Sequence, residues 1–141
     1  MEKILWTNEF SVNNKLLDNQ HRQIINMINT LIEKNDILLP FSEEMHELLT
    51  SMTDYFRTHF QDEENFMKKI KFPALEEHQL LHISYIDKMV DFNFAKLSAK
   101  DNLANEMMEY LIYWLKNHIL IEDQKYKDFL IAQKNNTKTN S

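Results

Sequence analysis

A chain of 141 residues with 43% hydrophobic and 27% charged residues has the make-up of one globular domain around a single core. Its formal charge of −6 argues against nucleic acid as the main partner, and no apolar run reaches the length of a membrane span. The absence of cysteine excludes disulfides, iron–sulfur clusters and Cys-ligated zinc, and the absence of glycine excludes phosphate-cradling loops and dinucleotide fingerprints.

The opening MEKILWTNEF lacks the cationic and then apolar layout of a secretory leader, so a cytoplasmic location is expected. Residues 1–17 show no helical period but hold Trp6, Phe10 and Val12, which predicts an ordered N-terminal arm packed on the domain. Asp18 suits an N-cap. Leu17, His21, Ile24, Ile25, Ile28, Leu31 and Ile32 then keep the i, i+3, i+4 rhythm of one helical face, which ends near Asn35, before Pro40. Ser42 can cap a second helix, whose stripe includes Met45, Leu49, Met52, Phe56, His59, Glu63, Met67 and Ile70. Pro73 fits the start of a third, with Leu75, His78, His82, Tyr85, Met89 and Phe92 on one face. The pattern breaks at Ser98–Asp101, where either end residue can cap. A fourth helix carries Leu103, Met107, Tyr110, Leu111, Trp114, Leu115 and His118 to an end near Ala132. The tail QKNNTKTNS, residues 133–141, has nothing to bury and is expected to be disordered. Short connections between long amphipathic helices imply an all-α, antiparallel up-down-up-down four-helix bundle over residues 1–132.

Five histidines lie inside these apolar stripes, and their spacing carries chemistry. Glu63 follows His59 by four residues and His82 follows His78 by four, which puts each pair on one helix face, within reach of one metal ion. A single buried imidazole ordinarily just finds a hydrogen-bond partner. His21, His59, His78, His82 and His118 together, with a carboxylate on an apolar face, are satisfied jointly by metal. His46 lies about three and a half turns from His59 and reads as peripheral. The last pair is less regular. Five residues on a straight α-helix leave Asp123 roughly 140° from His118, so Glu122 aligns better unless a π-bulge intervenes. Spacing alone leaves Glu122 and Asp123 both open.

Five imidazoles and carboxylates exceed one structural zinc, and so much nitrogen does not suit Mg²⁺ or Ca²⁺. Two bridged first-row ions use the set, and imidazole with carboxylate suits iron. In HQLLH, Gln79 stands where a zinc protease of the HExxH type has its glutamate, so that activity is not expected. A ferritin-like centre needs two Glu-x-x-His motifs, and only Glu43 to His46 occurs.

At this point Trp6 to Phe10, LLDNQH ending at His21, HFQDEENFM from His59, FPALEEHQLLH ending at His82 and WLKNHILIEDQKY ending at Tyr126 resemble hemerythrin, specifically its single-domain bacterial members. The resemblance covers about residues 4–130. It departs in the polar loop NNKLL, where relatives often carry glycine, and in the tail. It implies one iron held by His78, His82 and His118, a second held by His21 and His59, and bridges from Glu63 and Asp123. With an oxo or hydroxo bridge the first iron is six-coordinate and the second five-coordinate, open to dioxygen. Ile24, Phe60, Phe66, Met67, Trp114 and Leu120 are candidate walls of the oxygen pocket. The implied function is reversible dioxygen binding for storage, delivery or buffering. The alternatives are an oxygen or redox sensor acting in trans, or a di-iron enzyme acting on peroxide or nitric oxide. Neutral imidazoles support highly oxidised iron poorly, which favours a carrier over an enzyme. No membrane partner is expected.

Overall fold

The computed structural model describes residues 1–97 and 102–139. After a 3₁₀ turn (Asn8–Phe10) come α1 (Lys15–Lys34), α2 (Glu43–Lys69) and α3 (Leu75–Leu97). The fourth rod is continuous: α4 (Leu103–Trp114), a π-helical segment (Leu115–Glu122) and α5 (Asp123–Thr139). Among the described residues there is no strand. α1 packs on α2 and α4, and α3 packs on the same two, so the four-helix bundle closes as a ring in chain order.

The helix starts follow side-chain chemistry. Asn14, not the predicted Asp18, caps α1, its extended backbone letting Oδ1 accept from the Leu17 N–H at 3.1 Å. Asp18 sits one turn into the helix and holds the arm instead, accepting from Ser11 Oγ at 2.6 Å and the Val12 N–H at 2.8 Å. Further back, Asn29 reads the backbone of Ile4 in both directions, accepting its N–H at 2.7 Å and donating to its carbonyl at 2.9 Å. The arm is thus ordered as expected, though it ends at Asn14. Ser42 caps α2 through the Met45 N–H at 3.0 Å. Pro73 lies in the turn two residues ahead of α3, whose first turn closes from the His78 N–H to the Ala74 carbonyl at 3.1 Å. The break at Ser98–Asp101 lies outside the described residues.

Without glycine, α2 has to end on a side-chain-bearing residue. Lys71 takes φ 59°, the Phe72 N–H returns to the Met67 carbonyl at 2.9 Å and the Lys71 N–H to Lys68 at 3.1 Å. This is the Schellman pattern, completed by apolar contact between Met67 and Phe72 in one cluster. Asn13, at φ 60°, likewise takes a left-handed conformation that asparagine tolerates better than most. The fourth rod departs from expectation at its end. It remains helical to Thr139, past the predicted stop near Ala132 and through most of the tail expected to be disordered. No glycine or proline interrupts that stretch, and residues 131–136, exposed though they are, continue the backbone ladder.

The core forms two apolar clusters. The larger runs from Phe10 and Ile24 through Phe56, Phe60 and Tyr85 to Trp114 and Ile119; the smaller holds Val12, Leu17, Met67, Phe72 and Tyr126. Along every rod the metal-binding residue types fall between them: His21 between Leu17 and Ile24, Glu63 between Phe60 and Met67, Asp123 between Ile119 and Tyr126. A polar layer crosses the bundle.

Lys71→Gly should stabilise the metal-free protein by about 1 kcal/mol, since a left-handed residue with a Cβ carries a cost of that order. Thermal unfolding should show a rise of about 3 °C; a fall would contradict this account of the α2 terminus.

Candidate metal centre

The polar layer gathers seven side chains on all four rods, and each is almost or wholly inaccessible: His21, His59, Glu63 and Asp123 at 0%, His78 and His82 at 3%, His118 at 4%. Two groups of potential ligand atoms form within it. Glu63, His78, His82 and His118 make one, and His21, His59, Glu63 and Asp123 the other, with all ligand atoms in each within 4.8 Å of one another. The two carboxylates face both ways. Glu63 Oε1 lies 3.1 Å from His78 Nε2 and 2.9 Å from His82 Nε2, while its Oε2 lies 3.5 Å from both His21 and His59 Nε2. Asp123 Oδ1 is 3.0 Å from His78 and 3.1 Å from His118, and Oδ2 is 3.3 Å from His21. Each carboxylate therefore spans a three-histidine side and a two-histidine side.

Asp123 reaches this position because the fourth rod widens. Between His118 and Asp123 the backbone is π-helical, and the Asp123 N–H bonds to the His118 carbonyl five residues back. Glu122, the alternative left open by spacing, turns outward and pairs with Lys125 Nζ at 2.8 Å. His46 is exposed and joins neither group.

Whether these residues fit metal is tested by their unspent valences. The Nε2 atoms of His21 and His59 and both carboxylate oxygens of Asp123 are buried with no hydrogen-bond partner, although opposite groups lie within 3.5 Å. Buried donor atoms that converge on one another without hydrogen-bond geometry suit a cation at their common focus. The outer ring nitrogens agree. His59 Nδ1 lies 2.7 Å from Gln20 Oε1, His82 Nδ1 2.8 Å from Glu64 Oε2, and His21 Nδ1 3.4 Å from the Phe10 carbonyl. An acceptor at Nδ1 places the proton there and leaves the Nε2 lone pair pointing inward, the tautomer a metal takes. Tyr126 donates to Glu63 Oε2 at 2.9 Å from a fully buried position.

Sequence reasoning missed these orienting groups. Gln20 and Glu64 each adjoin a residue already singled out, a signal that was available; the Phe10 carbonyl belongs to the backbone and left none. The six residues named as pocket walls divide between the clusters. Ile24, Phe60 and Trp114 are buried in the larger one with Leu120 packed against it, whereas Met67 lies in the smaller with Phe66 against it. Phe60 stacks on His82 at 3.8 Å and Trp114 on His118 at 4.8 Å, so the larger cluster abuts the histidines directly.

A family model for the hemerythrin HHE cation-binding domain matches residues 12–130. The chain belongs to the hemerythrin family. It is 29% identical over 127 residues to a bacteriohemerythrin of Clostridium acetobutylicum, covering 88% of this chain and 98% of that one. It is 30% identical over 122 residues to hemerythrin subunit alpha of Lingula reevii, covering 86% and 91%. Solved structures of hemerythrin bearing a leucine-to-tyrosine or leucine-to-alanine substitution match with a TM-score of 0.78 at 24% identity, over 91% of this chain and 97% of theirs. At that identity the likeness speaks for the fold. No described helix is long and apolar enough to cross a membrane.

Without metal the layer balances its charge with protons. Burial alone lowers the imidazole pKa, but the Asp123 and Glu63 carboxylates outweigh it and push His21 and His78 up to about 10 and His118 to about 9. His59 moves down, because burial prevails there. For Glu63 and Asp123 burial works upward, yet the surrounding histidines hold both carboxyls below their ordinary range. The raised imidazoles stabilise the metal-free fold fully below 6.5, and that contribution is lost as pH climbs toward 9–10. The melting temperature of the metal-free protein should therefore fall over that interval, less steeply in His78→Gln. Metal uptake at pH 7 should release roughly three protons per chain, from His21, His78 and His118, read with an indicator dye in weak buffer. Uptake without proton release would contradict the ligand set.

Proposed function

We propose that the seven buried donors hold two irons, bridged by Glu63 and Asp123, and that dioxygen binds reversibly on the side that has two histidines. Oxygen binding at non-haem iron is the function that membership of the hemerythrin family supports. The observation that carries the two-ion reading is the pair of carboxylates: Glu63 has one oxygen toward His78 and His82, Asp123 has one toward His78 and His118, and each has its other oxygen toward His21. When bound, the irons supply electrons to dioxygen and recover them on its release.

The protein's part is to hold, orient and exclude. His78, His82 and His118 occupy one side, His21 and His59 the other, and the side with one imidazole fewer is the one that takes an added ligand. Tyr126 fixes the orientation of Glu63, while Gln20, Glu64 and the Phe10 carbonyl fix three rings. Ile24, Phe60, Trp114 and Leu120 close the layer on one side, and Phe66 and Met67 on the other, which keeps water from the bound ligand. Five neutral imidazoles against two carboxylates favour carriage over peroxide or nitric oxide turnover, because highly oxidised iron needs more anionic donors. Storage, delivery or buffering of oxygen in the cytoplasm is the physiological role proposed.

Anaerobic loading should yield two irons per chain, with an absorption band that appears on adding oxygen and disappears on removing it. One iron per chain, or a band that decays with continuous oxygen consumption, would overturn the proposal. Leu120→Ala opens the apolar wall and should speed autoxidation several-fold; an unchanged rate would remove Leu120 from the wall.

A further inference from the structure

The two sides of the centre differ in more than histidine count. On the three-histidine side, His82 Nδ1 lies 2.8 Å from Glu64 Oε2, a carboxylate whose other oxygen accepts from Gln79 Nε2 at 2.9 Å. On the two-histidine side, His59 Nδ1 meets the neutral amide oxygen of Gln20 at 2.7 Å, and His21 Nδ1 a backbone carbonyl at 3.4 Å. Asp62 lies close by, but Gln20 stands between it and the ring, donating Nε2 to Asp62 Oδ2 at 2.8 Å. A carboxylate therefore serves one side directly, and the other side is served only by dipoles.

This arrangement has an electronic consequence. A full negative charge accepting the Nδ1–H draws the proton outward and raises electron density at Nε2, whereas an amide or peptide oxygen does so weakly. The Glu64 side chain is 18% exposed, on the wall of a cavity of about 570 Å³ between α2 and α3 that also reaches His82 and Gln79. His82 itself is held flat against Phe60, 8° from parallel, so the stronger donor cannot swing away.

We infer that Glu64 is a positioning residue that makes the His78–His82–His118 position the preferred seat of ferric charge, so that the two irons differ in potential. The inference rests on the two-iron reading above. Stepwise oxidation of the loaded protein passes one electron to a mediator dye from the three-histidine iron first and a second from the two-histidine iron. The position left ferrous longer is the one at which an added ligand exchanges.

The test is a mediated potentiometric titration of the iron-loaded protein, with iron counted per chain in every sample. Glu64→Gln keeps an acceptor oxygen for His82 and removes only the charge. It should raise the first potential, narrow the gap between the two steps, and speed iron loss to a chelator by about 10–100-fold. Gln20→Glu combined with Asp62→Asn moves a carboxylate to His59 and should lower the second potential instead. In the diamagnetic zinc-loaded protein, the exchangeable His82 Nδ1 proton should resonate downfield of that of His59 and move upfield in Glu64→Gln. Potentials that stay put in both variants while two irons remain bound would overturn the role of Glu64 alone, since a merely structural residue alters stability and not the ordering of the steps. A wild-type chain that never holds two irons would overturn the reading beneath it as well.

Discussion

Everything in this fold is arranged around one electrostatic constraint: two carboxylates and five imidazoles share a layer from which water is excluded. An isolated carboxylate in such a place carries a desolvation cost that no core packing offsets. The layer tolerates Glu63 and Asp123 only because positive charge is always available to them. Metal supplies it in the loaded protein and protonated imidazoles supply it otherwise, which is why His21 and His78 hold their protons up to about 10. Proton and metal are thus alternative occupants of the same electrostatic role.

The same constraint accounts for the irregular parts of the backbone. A straight fourth rod would place Glu122 where Asp123 is needed, and the extra residue accommodated in the π-helical segment shifts the register by one. The shift lasts only as long as required. Three residues beyond Asp123, in α5, Tyr126 is back in phase to donate to Glu63, so the widened stretch is bounded by the groups it brings together. The arm serves the layer too. Asp18 and Asn29 tie residues 4–12 down over α1, and that places the Phe10 carbonyl beside His21. Neither feature is explained by helix propensity or by packing of the apolar clusters.

The rods were legible in the sequence because apolar spacing reports a helix directly: the residues assigned to the inner face of the first helix, from Leu17 to Ile32, are the buried residues of α1. The His59–Glu63 and His78–His82 pairs were legible for the same reason, since four residues on a helix need no tertiary information. Asp123 was not settled by spacing, because a π-bulge leaves no mark in composition and an acid stands at both i+4 and i+5. The periodic pattern points to Asp18 as the cap of α1, yet Asn14, one turn earlier, is the residue that caps it, because the course of the arm decides between the two. The end of α5 was placed too early for a related reason. Lack of an apolar face says that a segment has nothing to pack against, not that its backbone ladder stops.

A layer of seven ionisable or ligating groups divides what could have been a continuous hydrophobic core into two clusters, and local rules of core design are broken at every one of those positions. The division is also what makes the centre usable. The larger cluster presses aromatic faces onto His82 and His118, and the smaller surrounds the Tyr126 that anchors Glu63. Each cluster thereby fixes ligands as well as excluding solvent, so rigidity and dryness at the centre come from the same contacts. A site built this way has little freedom to reorganise around bulky substrates. Its remaining variable is the charge carried by the outer partners of the imidazoles, and there the two sides of the layer are unlike: a carboxylate behind His82, an amide behind His59 and a peptide carbonyl behind His21. The charge behind the imidazoles is therefore set outside the seven buried donors, and two of the residues that set it, Gln20 and Glu64, are partly exposed.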